Sequence, residues 1–119
     1  MQRSRDAPTG KSVDHVWTFL SNYAHVLVCV ARFPDATLRE IAELVGITER
    51  AVHRIVNELE AAGAIQRARE GRRNHYEVDP SAPLRHPLEC DRTVGDLLAA
   101  LLSRSEAAAL GLRRTARRS

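Results

Sequence analysis

The sequence predicts a mainly α-helical domain that carries one small β-hairpin. Two short helical patterns meet at Gly46 in the stretch LREIAELVGITERAVHRIV, residues 38–56, and two strand-like segments follow soon afterwards. The chain has 119 residues, the length of one domain, and only 4% of them are aromatic. A single domain with an aliphatic core is therefore expected.

The first helix is predicted at about residues 22–33. Ser21 is a suitable N-cap, and the apolar residues of this stretch share one broad face. Pro34 ends the helix, because the residue before a proline disfavours the helical conformation. Residues 1–12 are predicted to be a disordered arm, whereas VDHVWTFLSN, residues 13–22, fits either a short helix or an extended segment.

Two further helices are predicted with a tight turn between them. Thr37 caps the second helix, and Glu40 follows three residues later, as in a capping box. Gly46 ends that helix, since glycine accepts the left-handed conformation found at helix C-termini. Thr48 then caps a third helix at about residues 48–62. Two helices joined by such a turn form a helix-turn-helix.

The outer face of the third helix carries hydrogen-bonding side chains, while its inner face is apolar. The candidate DNA-binding residues on this helix are Thr48, Glu49, Arg50, His53, Arg54 and Asn57. A DNA major groove admits such a helix, so this face is a candidate for reading base edges. Arg54 fits either a guanine edge or a phosphate. The alternative is a helical hairpin whose polar face only meets water.

A hairpin with a basic tip is predicted at about residues 64–79. Its strands are AIQRAR and NHYEVD, separated by EGRR. Arg72 and Arg73 at the tip suit the narrow DNA minor groove, and Arg67 and Arg69 suit the flanking phosphates. The alternative is a solvated hairpin whose charges prevent edge pairing.

A last helix is predicted to begin at Thr93 and to extend to about Ser103, after the proline-rich connection PSAPLRHP. We expect its apolar stripe to form a homodimer interface, the alternative being that it completes the core of the monomer. The stripe consists of Val94, Leu97, Leu98, Leu101 and Leu102. The domain then covers residues 13–103, and residues 104–119 form an Arg-rich tail.

Charge and cysteine usage limit the classes of function. The net charge is only +3, but residues 64–76 carry four Arg against one Glu, and residues 113–119 carry four Arg. Such clusters indicate a polyanionic partner.

Cys29 and Cys90 fit neither a disulfide framework nor a CxxC metal site. Cys90 lies near His86, Glu89 and Asp91, and a metal or redox role there stays open beside structural indifference.

Several classes of protein are disfavoured. The sequence contains no GxSxG, no Gly-rich phosphate loop and no HExxH, so we expect no enzyme, no cofactor and no metal site. It has no apolar run long enough to span a membrane and no signal peptide, so a cytoplasmic protein without a membrane partner is expected.

The chain resembles the winged helix-turn-helix transcription regulators, in the MarR-like and ArsR-like part of that superfamily. LREIAELVGITERAVHRIVNELEAAGAI is similar to their two DNA-binding helices and first wing strand, and the resemblance covers about residues 21–79. WTFLSN, GRRNHY and DPSAPLRHPLE through VGDLL more loosely resemble a group of small single-domain regulators of bacteria and archaea. The long dimerisation helices of MarR proteins and the metal ligands of ArsR sensors are not evident.

The resemblance implies sequence-specific binding to double-stranded DNA, usually by a dimer and most often to repress. The residues that would read bases are Arg50, His53, Arg54 and Asn57. A homodimeric repressor is therefore predicted, with an unidentified small-molecule effector left open. The alternatives are a metal- or redox-responsive sensor acting through Cys90, or a winged-helix module that binds protein.

Overall fold

The structure, a computed structural model, describes residues 16–71 and 73–112. Five helices and two strands form within these ranges. They are α1 (Asn22–Arg32), α2 (Leu38–Val45), α3 (Glu49–Ala61), β1 (Ile65–Glu70), β2 (Arg73–Val78), α4 (Val94–Leu101) and α5 (Arg104–Ala109). The predicted arm, residues 1–12, lies outside the described residues, and residues 16–20 contain no helix.

Helices α2 and α3 form the predicted helix-turn-helix. The Thr37 N–H donates to the Glu40 carboxylate at 2.8 Å, and the Glu40 N–H donates to the Thr37 hydroxyl at 3.1 Å, which completes the capping box. Gly46 ends α2 with φ 90°, a left-handed conformation that favours glycine. The Thr48 hydroxyl then accepts from the Ala51 N–H at 3.0 Å and starts α3. The break at Gly46 is therefore a turn fixed by caps on both sides.

The hairpin packs directly after α3. Strands β1 and β2 pair antiparallel, from Ile65 opposite Val78 to Glu70 opposite Arg73. The Tyr76 N–H donates to the Pro34 carbonyl at 2.9 Å, which attaches β2 to the turn between α1 and α2. The predicted mainly helical winged helix-turn-helix is therefore confirmed.

The core is aliphatic, as expected, apart from one buried aromatic ring. Tyr76 is 2% exposed and belongs to the same cluster of buried side chains as residues of α1, α2 and α3. The largest fully buried aliphatic residues are Ile41, Ile65, Leu98, Val26, Val30, Val52 and Val56. This core holds the inner face of α3 against the body and leaves its other face to solvent.

Part of the apolar stripe of α4 belongs to this core, as the alternative of core completion predicts, and the dimer interface stays a prediction. Val94, Leu98 and Leu102 are buried within the single chain, because the stripe turns inward to complete a small core. Leu97 and Leu101 are only half-buried. The alternative of core completion therefore describes three of the five residues, and two remain available to a partner.

The connection before α4 crosses its first turn at close range. The Gly95 N–H donates to the Pro80 carbonyl at 2.9 Å, and a Cβ on Gly95 would lie 2.8 Å from the Pro80 Cβ. An isolated bridge between Pro83 and Thr93 continues this contact. Glycine at position 95 is therefore required by the approach of the two backbones.

Helix α5 lies in the stretch that the sequence assigned to the Arg-rich tail. The Ser103 hydroxyl accepts from the Glu106 N–H at 3.1 Å, and Glu106 forms an ion pair with Arg32 of α1 at 3.3 Å. Ala107 is buried. These contacts attach residues 104–109 to the domain, whereas the four arginines of residues 113–119 lie outside the described residues.

Candidate nucleic-acid interface

The outer stripe of α3 is an exposed polar surface of the helix-turn-helix. With 3.6 residues per turn, Arg50, Arg54 and Asn57 lie opposite Val52 and Val56, which are fully buried. All three polar residues are exposed. The helix thus presents two guanidinium groups and an amide, one turn apart, away from its own core.

Arg50 is an exposed cation of α3 that has no protein partner among the side chains that the structure describes. Its guanidinium makes no hydrogen bond or ion pair with any residue of 16–71 or 73–112. His53 and Glu49 also lie exposed without such a partner in those ranges. Thr48 differs, because its hydroxyl is used as the N-cap of α3. The N-terminal half of α3 therefore offers Arg50 and His53 as donors beside the carboxylate of Glu49.

Arg54 contacts a tyrosine of α1. Its Nη1 atom lies 3.5 Å from the Tyr23 hydroxyl, and that hydroxyl donates in turn to the Glu58 carboxylate. The hydrogen bond to Glu58 raises the pKa of Tyr23 above its usual value. The phenol therefore stays protonated at neutral pH and connects Arg54 to Glu58.

Arg67 attaches the wing to α3, and its predicted contact with DNA phosphates stays a prediction. Its Nη2 atom donates to Glu60 at 2.7 Å and to the Asn57 side-chain oxygen at 2.9 Å. The Arg67 side chain is 22% exposed. Its charge is neutralised within the protein, and one acceptor of Asn57 is occupied by the same contact.

The tip of the wing retains part of its predicted basic surface. Arg69 is exposed, and its only hydrogen bond in the described residues is a 3.3 Å contact to the Gly71 carbonyl. Arg73 donates to the Asp35 carbonyl and lies 3.9 Å from Glu40, so it also links the wing to the body. Arg72 lies outside the described residues.

A histidine that the sequence did not single out completes this link. The His75 Nδ1 atom lies 2.7 Å from the Asp35 carboxylate in the turn between α1 and α2. Asp35 and His75 are 40 residues apart, and no local pattern connects them. The wing is therefore positioned from two sides, by α3 through Arg67 and by this turn through Arg73 and His75.

An apolar groove opens beside the helix-turn-helix. It has a volume of about 890 Å³ and lies between the start of α1, the end of α3, residues 82–86 and α4. Phe19 stands at its margin with 91% of its side chain exposed, and the Trp17 ring packs edge-on against it at 4.9 Å. The half-buried Leu97 also lines the groove.

The Cys90 region offers no metal-ligand set in the described residues. Cys90 is exposed, and its thiol lies 3.5 Å from the Pro87 carbonyl. Across residues 16–71 and 73–112, no group of three or more His, Cys, Asp and Glu side chains could hold a metal ion. Nor does any helix there have the length and apolar character needed to cross a membrane.

The segment that builds this surface resembles a known family. Residues 19–73 match the MarR family of winged helix-turn-helix regulators. The match spans α1, α2, α3, β1 and the wing turn, and it confirms the MarR-like resemblance.

Comparisons with other proteins add little to the MarR assignment. The PcaV transcriptional regulator from Streptomyces coelicolor, solved in complex with its natural ligand, is 22% identical, with a TM-score of 0.46. The likeness covers 77% of this chain and 69% of that one. A sequence comparison with curated proteins gave no match. The family that residues 19–73 match consists of DNA-binding transcription regulators.

Proposed function

We propose that the protein is a sequence-specific, homodimeric repressor that places α3 in the DNA major groove. The observation that carries this proposal is the outer stripe of α3, where Arg50 and Arg54 project from a helix whose opposite face is fixed in the core. A helix held in this way enters the major groove as a rigid unit, with its N-terminal half at the base edges. Repression, rather than activation, is what the family resemblance favours.

The residues of α3 take different roles in this proposal. Arg50 and Arg54 are the main base-reading candidates, since a guanidinium can donate twice to a guanine edge. His53 and Glu49 lie beside them in the first turns and contact bases or backbone. Thr48 acts by capping the N-terminus of α3. Asn57 retains its amide donors, because only its oxygen is committed to Arg67.

The wing contributes affinity rather than sequence discrimination. Arg69, Arg72 and Arg73 are proposed to approach the minor groove and neighbouring phosphates. Arg67 keeps the strands at a fixed angle to α3 and contributes no phosphate contact of its own. The arginines of residues 113–119 add non-specific attraction to the duplex, which weakens as salt rises.

A homodimer is proposed through the apolar surface around the groove. Trp17 is 74% exposed and Phe19 91% exposed, and Phe19 lines the groove together with the half-buried Leu97. Large exposed aromatic residues next to an apolar groove are typical of a surface that a partner covers. In a two-fold dimer that binds an inverted repeat, the two α3 helices occupy successive major grooves.

Binding to a duplex from the protein's own upstream region tests this function. The variant R50A/R54A should lose specific binding, measured by fluorescence anisotropy against an unrelated duplex of equal length and base composition. The control variant R92A/R104A removes the same charge from exposed positions outside the matched segment. It should bind as the wild type does.

The alternative functions predict other results. If both double variants bind the duplex equally, α3 does not read DNA, and a winged-helix module that binds protein is favoured. If DNA binding requires a metal ion or changes with the oxidation of Cys90, compared with C90S, the sensor alternative is favoured. In cells, a reporter driven by the upstream region should be derepressed when R50A/R54A replaces the wild type.

A further inference from the structure

Three side chains from two helices form a connected chain at the edge of α3. Tyr23 lies in the first turn of α1 and is 38% exposed. Its hydroxyl donates to the Glu58 carboxylate and lies 3.5 Å from Nη1 of Arg54. Arg54 and Glu58 are four residues apart on α3, so they lie one turn apart at the edge of its outer stripe, where Tyr23 of α1 reaches both side chains.

We infer that Tyr23 and Glu58 are positioning residues that orient the Arg54 guanidinium and thereby set discrimination at the base pair Arg54 reads. The inference rests on the proposed function, because it requires α3 to bind in the major groove. It adds a role for α1, which carries none of the predicted base-reading residues.

The geometry favours a positioning role over a simple surface contact. A free arginine side chain samples many rotamers. Binding of the guanidinium to a base fixes one of them, which costs conformational entropy. Tyr23 engages only Nη1 of Arg54. The opposite edge of the guanidinium, with Nη2 and Nε, remains available for two parallel hydrogen bonds to guanine.

The phenol is the group that this arrangement requires. A hydroxyl can donate to a carboxylate and accept from a guanidinium at the same time, which neither a phenyl ring nor a second acid can do. The hydrogen bond to Glu58 raises the pKa of Tyr23 above its ordinary value, at which a tyrosine hydroxyl already keeps its proton at neutral pH. Arg54 and Glu58 form no ion pair of their own in the described part of the chain. Tyr23 therefore connects them.

The test measures how well variants of the positioning residues discriminate between base pairs. A duplex is first selected by the wild-type protein from a randomised pool, and binding is then measured to every single-base variant of it. R54A identifies the base pair that Arg54 reads. Y23F keeps the ring and removes the hydroxyl, E58Q removes the charge, and E43Q is the matched control on the exposed face of α2.

We expect Y23F to lower discrimination at the Arg54 base pair by roughly two- to tenfold, the factor that one ordinary hydrogen bond represents. Discrimination at other positions and the salt dependence of binding should not change. E58Q should lower discrimination at the same base pair, and E43Q should lower discrimination at no base pair. Ultraviolet titration should also show the Tyr23 pKa falling in E58Q and its transition disappearing in Y23F.

Two outcomes would overturn this inference while leaving the proposed function intact. In the first, R54A loses discrimination at one base pair but Y23F discriminates there as the wild type does. In the second, Y23F weakens binding to every duplex equally, which indicates a structural role only. If R54A itself discriminates like the wild type, the base-reading role of Arg54 fails together with this inference.

Discussion

Replacing Arg67 with methionine separates a structural role of the wing from a DNA-binding one. Methionine keeps the length of the aliphatic stem but removes the donors to Glu60 and Asn57. The sequence alone places Arg67 on a phosphate, whereas the structure places it between β1 and α3. The two assignments predict opposite effects on folding and on DNA binding.

The expected loss of stability follows from the exposure of the pair. Fully exposed ion pairs contribute about 0.2–1 kcal/mol, and hydrogen bonds to charged groups about 1.5–3 kcal/mol. The Arg67 and Glu60 side chains are 22% and 37% exposed, which lies between these cases. We therefore expect R67M to lower the free energy of unfolding by about 1–2 kcal/mol. For a domain of this size, the midpoint of thermal unfolding should fall by roughly 5–15 °C.

The assay compares R67M with R69M in thermal unfolding and in DNA binding as a function of salt. Arg69 is exposed and makes a single 3.3 Å contact, so R69M should change stability by less than about 0.5 kcal/mol. R69M should, however, reduce the slope of log affinity against log salt by about 0.9, the value for one phosphate contact. If R67M instead unfolds like the wild type and reduces that slope, Arg67 is a phosphate contact and the structural assignment is wrong.

Three further predictions concern single positions. R54A should relax specificity at one base pair by about 1–3 kcal/mol, measured on single-base variants of the operator, and should leave the others unchanged. G95A should destabilise the fold by about 1–3 kcal/mol in urea unfolding, although alanine favours helices, because its Cβ would lie 2.8 Å from the Pro80 Cβ. The hydrogen bond from the Thr37 N–H lowers the pKa of Glu40, so its stabilisation is present above the ordinary glutamate pKa and is lost as the pH falls through the lowered value. Urea unfolding over a pH series should therefore show a shallower acid decline in E40Q, and an unchanged decline would contradict the capping role.

The helix-turn-helix was predictable because its signals are local. Thr37 and Glu40 lie within one turn, and Gly46 marks the helix end whatever the rest of the chain does. The hairpin was predictable for the same reason, since its strands are separated only by a short basic turn. Helix α5 also carried a local signal that was missed, the Ser103 and Glu106 capping box.

The parts that sequence analysis could not supply depend on contacts between distant residues. The apolar stripe of α4 shows that one face of a helix is buried, but not whether the partner is the same chain or a second copy. Tyr23 and Glu58 are 35 residues apart, and no periodic pattern connects them. Arg67 was placed on DNA because an arginine on a wing strand has the same sequence signature whether it binds a phosphate or Glu60.

Genomic footprinting of the wild-type protein and of R50A/R54A tests most directly whether the outer face of α3 reads DNA sequence. The wild type should protect a small set of sites with two inverted half-sites about one helical turn, roughly 10 base pairs, apart. The variant should protect none of them. If both proteins protect the same sites, or if the wild type protects no defined site, α3 is not the reading element.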